Sequence, residues 1–168
     1  MTKTFKVSLI GVTLAIAAVG AYFAFAWQRP MPQVKFAMLS GELVSSADLR
    51  GKVTLVNFWA TTCVTCVAEM PKVVQTYNQF KDRGFETIAV AMEYDPPNLV
   101  KDYAARHQLP FKVTMDARGE LAQQFGDVSL TPTTFVIDKK GRIIKSYLGE
   151  PDFAALHALL DAALKEST

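Results

Sequence analysis

Val53-Thr54-Leu55-Val56-Asn57-Phe58-Trp59-Ala60-Thr61-Thr62-Cys63-Val64-Thr65-Cys66 contains a nearly continuous apolar run, a short polar break and the only two cysteines of the chain. The run has the length and character of a strand buried on both faces of a sheet. Beyond the break, Val67, Met70, Val73, Val74, Tyr77 and Phe80 recur at three- and four-residue steps, so a helix is expected from about Cys63 to Lys81, with Pro71 inside it and Arg83-Gly84 ending it. Both cysteines therefore fall where a central strand passes into a helix.

Two thiols three residues apart can close a small disulfide ring and reopen it, whereas a stabilising crosslink usually closes a longer loop of unfolded chain. A redox couple is the leading reading. At the helix start, unpaired amides and the helix dipole favour a Cys63 thiolate, the species that attacks a disulfide. Cys66 lies one turn on, on the same side of the helix, and is expected to be the more buried, resolving thiol. As zinc ligands the pair would supply half of a four-ligand site. His107 and His157 have no short spacing to it or to each other, and no metal is assigned.

Outward from this centre the chain alternates. Residues 34–39 and 42–44 flank Ser40-Gly41 as a small hairpin, and a turn of helix follows at residues 46–49. After the central strand and helix come a strand at residues 85–92, a helix at 98–108, a strand at 111–115 and a short helix at 119–125. A hairpin of residues 133–138 and 142–148 and an amphipathic helix at 153–164 close the chain. This order predicts an α/β sandwich with a mixed sheet.

With 168 residues, the chain can bury a core without disulfide staples. Residues 7–27 carry no charge, follow Lys3 and Lys6, and as a helix would span about 31 Å, enough for the hydrocarbon core of a bilayer. They are expected to be a signal anchor with a cytoplasmic amino terminus, inserting in the bacterial inner membrane and placing the remainder in the periplasm. Ala24-Phe25-Ala26 supplies the alternative, cleavage near Ala26 to a soluble periplasmic protein. Residues 28–33, with Pro30 and Pro32, read as a linker, and 34–168 as the domain. The formal charge of +2 comes from Lys3 and Lys6, so the domain is near neutral and nothing indicates nucleic-acid binding.

Residues 34–164 resemble the thioredoxin superfamily, in particular the membrane-anchored TlpA/ResA-like thiol-disulfide oxidoreductases. The resemblance rests on residues 56–61 before the pair, Glu69-Met70-Pro71 after it and Leu130-Thr131-Pro132-Thr133-Thr134-Phe135. It implies a thioredoxin-like three-layer sandwich. It also implies a cis-proline turn at Thr131-Pro132 that lies against the disulfide and pairs with an extended substrate segment, and no cofactor beyond the thiols. The implied activity is reduction of protein disulfides, which keeps substrate thiols reduced, with the apocytochrome c cysteines as a candidate substrate and a membrane electron donor. An oxidase or isomerase is the alternative, and a peroxiredoxin-like peroxidase or copper-binding module a more distant one. Val56 and Ala60 stand at two positions of the peroxidatic motif, and the cysteine spacing is one residue short of the copper chaperones.

Three positions depart from thioredoxins. Asn57 replaces a buried aspartate and cannot take a proton from the resolving thiol. Thr62 replaces a tryptophan and Thr65 a proline. A glutamate from the inserted region approaches the site in the ResA-like branch, which points to Glu93 for proton transfer, with Asp95 as the fallback.

Overall fold

The computed structural model describes residues 29–167. The expected anchor at residues 7–27 lies outside them. Among the described residues no helix is long and apolar enough to cross a membrane.

The strands are β1 (Arg29–Pro30), β2 (Lys35–Ala37), β3 (Leu43–Ser45), β4 (Val53–Trp59), β5 (Phe85–Ala91), β6 (Lys112–Met115), β7 (Thr133–Ile137) and β8 (Arg142–Leu148). The helices are α1 (Val64–Phe80), α2 (Pro97–Arg106), α3 (Glu120–Gln124) and α4 (Phe153–Lys165), with single 3₁₀ turns at Ser46–Leu49 and Lys81–Arg83. Six strands form one mixed sheet in the order β1-β8-β7-β4-β5-β6, and β2 and β3 form a separate hairpin. The central strand β4 runs parallel to β5 and antiparallel to β7. Every residue of β4 and β5 is buried, the consequence of layers on both faces of the sheet.

Successive β4 side chains point to opposite faces. Leu55 and Trp59 join Cys66, Met70 and Val73 of α1 and Leu156 and Leu160 of α4 in one core. Val56 and Phe58 join Phe36, Phe125 and Phe135 in the other, beneath the β2–β3 hairpin and α3. Asn57 shares the parity of Leu55 and Trp59, so a polar amide projects into the α1 side of a largely apolar layer.

Capping residues set the element ends. Ser45 and Asp48 close a reciprocal capping box on the first 3₁₀ turn, and the Asp152 side chain accepts from Ala154 N and Ala155 N at the start of α4. Gly84, at φ 87°, takes the left-handed conformation that lets the chain leave the second 3₁₀ turn and enter β5.

The folded unit begins earlier than its sequence pattern suggests. Arg29 and Pro30 pair with Ile143 and Arg142 of β8, and Met31 is buried. Within the stretch 28–33, read as a linker, Arg29–Pro30 is therefore a two-residue edge strand. A lone methionine between two prolines has no periodicity to reveal that it packs.

Candidate active site

Because β4 ends at Trp59 and α1 starts at Val64, Cys63 becomes the N-cap residue of α1 at the carboxyl end of the central strand. Cys63 and Cys66 form a disulfide with their Cα atoms 5.2 Å apart. Cys63 Sγ accepts a hydrogen bond from Cys66 N at 3.1 Å. In the dithiol form, an amide aimed at that sulfur favours thiolate over thiol. Cys63 is part-exposed and Cys66 is 0 % exposed.

Thr131 and Pro132 close the other side. Their peptide bond is cis, and Thr131 O lies 3.6 Å from Cys63 Sγ. Pro132 O accepts from Gly149 N at 2.8 Å, which ties the turn to the end of β8.

The turn after β5 touches both halves. Asp95, 1 % exposed, accepts from Thr61 N at 2.6 Å through Oδ2 and from Thr61 Oγ1 at 2.5 Å through Oδ1, pinning the loop that leads into Cys63. The neighbouring Tyr94 shares a hydrogen bond of 3.2 Å between its hydroxyl and Thr131 Oγ1. Asp95 thus holds the loop in place with both oxygens engaged. Glu93 is exposed and its carboxylate packs against Gly119, where an added Cβ would come within 2.5 Å of Oε2. Gly119 caps α3, which covers the sheet face opposite α1. The Glu93 carboxylate therefore lies on the α3 side of the sheet.

The acid that accompanies the pair is Glu69. It follows Cys66 by three residues, hence sits on the same face of α1 one turn later, and it is 1 % exposed. Its Oε1 accepts from Asn57 Nδ2 at 3.0 Å, and the same Nδ2 donates to Thr134 Oγ1 at 2.9 Å. Asn57 and Thr134 stand directly opposite each other in the β4–β7 register. Glu69 Oε2 and Asn57 Oδ1 are buried with no hydrogen-bond partner among the described residues. Burial pushes the Glu69 carboxyl up to about 7, against the Asn57 hydrogen bond, which lowers it; Glu150 adds to the rise and Lys72 opposes it.

Glu69 was visible in the sequence only as part of the Glu69-Met70-Pro71 motif. The signal for it in the sequence is spacing, because a glutamate at i+3 from a buried cysteine on an amphipathic helix shares that cysteine's inward face. No group of three or more metal-ligating side chains occurs among the described residues. His157 bonds Thr76 Oγ1 at 2.8 Å and His107 stacks on Tyr103 with ring centroids 4.1 Å apart.

Residues 28–160 match the Redoxin family model. The chain belongs to the Redoxin family. It is similar to the thiol-disulfide oxidoreductase ResA of Bacillus thuringiensis subsp. konkukian, with 36% identity over 73% of this chain and 69% of the relative. ResA of Bacillus subtilis is 30% identical over 70% of this chain and 65% of that protein. Among solved structures, a Neisseria meningitidis protein superposes with a TM-score of 0.78 at 44% identity, covering 83% of this chain and 93% of its own. A thiol:disulfide interchange protein of the thioredoxin family from Chlorobium tepidum gives 0.74 at 32% identity, covering 82% and 97%. This Redoxin-family chain is thus a TlpA/ResA-like member of the thioredoxin superfamily and a thiol-disulfide oxidoreductase with a C-x-x-C disulfide.

Proposed function

We propose that the protein is an exported disulfide reductase, anchored in the inner membrane by residues 7–27, that reduces protein disulfides in the periplasm, with a disulfide between the apocytochrome c cysteines as a candidate substrate. The observation that carries the mechanism is the pairing of a sulfur at a helix N-cap with a buried resolving cysteine one turn from a buried carboxyl. The uncharged run after Lys3 and Lys6 supports the anchor. Val64, 85 % exposed, together with the exposed Tyr94, Leu130 and Leu148, surrounds Thr131 and Cys63 with apolar surface suited to a polypeptide substrate.

In the dithiol form, the Cys63 thiolate attacks one sulfur of a substrate disulfide, and the other substrate sulfur leaves as a thiolate. Thr131 and Pro132 orient the substrate segment. Cys66 then gives its proton to the Glu69 carboxylate and attacks Cys63 Sγ, which expels the second substrate thiolate. The substrate gains two electrons and takes up two protons from Glu69 and solvent. The pair becomes the disulfide, and two electrons from a membrane dithiol donor restore it. A general base with a pKa near 7 is matched to this transfer at neutral pH.

The test is a Cys66→Ser trap in intact cells. This variant should accumulate a mixed disulfide through Cys63 with the substrate, and the captured protein distinguishes cytochrome maturation from general reduction. A pair found mainly oxidised in cells, with an oxidising reduction potential, would reverse the assigned direction to that of an oxidase.

A further inference from the structure

The buried contact between Asn57 and Glu69 is matched to the ionised acid through Oε1, while Oε2 has no partner among the described residues. An amide NH₂ matches a carboxylate acceptor, and Asn57 Nδ2 meets Glu69 Oε1 at 3.0 Å and Thr134 Oγ1 at 2.9 Å. Once the acid takes a proton on Oε1, two donors face each other. A proton on Oε2 has no acceptor among the described residues. Both placements leave an N–H or O–H donor facing no acceptor, where the ionised acid leaves only acceptors open.

The asparagine offers an exit that few side chains share. Its oxygen and nitrogen ends have almost the same shape, so a half-turn of the amide puts Oδ1 where Nδ2 was. Oδ1 then accepts from the Glu69 acid and from the Thr134 hydroxyl, which can donate as readily as accept. The 3.0 Å and 2.9 Å contacts survive with their polarity reversed. One end of the amide is unpaired in either orientation, as Oδ1 is here. We infer that the Asn57 amide is a two-position switch that follows the Glu69 proton, with the Thr134 hydroxyl as its fixed post. Asn57 and Thr134 are then positioning residues for the proton transfer between Cys66 and Glu69. That role rests on the function proposed above, whereas the switch itself needs only Glu69.

The other charged groups bearing on Glu69 are Lys72 on α1 and Glu150 in the turn before α4, which pair with each other, and Tyr147 stands opposite Thr134 in the β7–β8 register. None is bonded to the amide.

The test is NMR on the full-length oxidised protein, in which the thiols do not titrate. Contacts between the Asn57 NH₂ protons and the Thr134 methyl are expected above the Glu69 midpoint. They should weaken below it, with the same midpoint as the Glu69 carboxyl carbon signal. A contact unchanged across the titration overturns the switch. Asn57→Leu should move the carboxyl midpoint up by about one pH unit, the equivalent of a lost charge-assisted hydrogen bond, and an unmoved midpoint also overturns it. Glu69→Gln separates the two readings. If it leaves the pH profile of disulfide exchange unchanged, the catalytic use of Glu69 fails, while the NMR result stands on its own.

Discussion

Two carboxyl groups lie buried beside the cysteine pair, and they are built differently. Asp95 receives two short hydrogen bonds from Thr61, one on each oxygen. Glu69 receives one, from Asn57, and its second oxygen has no partner among the described residues. A carboxylate with both oxygens engaged by one residue is a clamp on the loop that carries that residue. One with an open oxygen in an apolar layer is a place where a proton can come and go. Location in the chain says nothing of this difference, because Asp95 follows a strand end and Glu69 sits mid-helix.

The largest effect expected bears on the chemistry both acids serve. Cys63→Ser should abolish disulfide exchange altogether in an insulin-reduction assay, and residual turnover equal to that of Cys66→Ser would undo the division of roles. Next, Glu69→Gln should slow release of substrate from the mixed disulfide at neutral pH by about 100-fold, a usual contribution of a positioned base. Followed by stopped flow, a loss confined to the initial attack would contradict the assignment.

The same variant sharpens the comparison through stability. The Glu69 carboxyl is raised from 4.5 to about 7 in the folded protein, so the native state binds this proton more tightly than the unfolded chain. Its contribution to stability is present below about pH 4.5 and is lost as pH rises through about 7. Urea titrations should show Glu69→Gln matching the parent near pH 4 and exceeding it above pH 7, by on the order of 3 kcal/mol. For Asp95→Asn the expectation is the reverse in kind. The protein should be less stable by about 2 kcal/mol, because a charged acceptor is lost from the Thr61 bonds, while the midpoint of the exchange profile stays in place. A moved midpoint would show that Asp95 takes part in proton transfer. Smallest is Lys72→Met, which should raise the Glu69 midpoint by a few tenths of a pH unit, since an exposed cation two turns from the cysteines contributes weakly.

Most of the architecture was legible because its signals are local. The Val53–Trp59 strand matched residue for residue, and β8 and the start of α4 fell where their patterns placed them, as an apolar run bounded by a glycine and a polar break leaves little choice of period. The cysteine pair was legible for the same reason. Arg29–Pro30 was not, since an edge strand of two residues is defined by its partner on β8 rather than by its own side chains. Nor was the buried position of Glu69, which plain helical periodicity hides, or the course of the chain after β5, which takes the Glu93 carboxylate to the α3 side.

By itself, then, the sequence determined that two thiols would meet at the junction of a central strand and a helix, because strand and helix periods and a three-residue spacing are properties of neighbours along the chain. Which carboxyl would share their core was decided by tertiary structure. Asn57 of β4, Thr134 of β7 and Glu69 of α1 are brought together only by sheet register and by packing of the helix on the sheet, and it is exclusion of water from that layer that holds the Glu69 proton near neutrality.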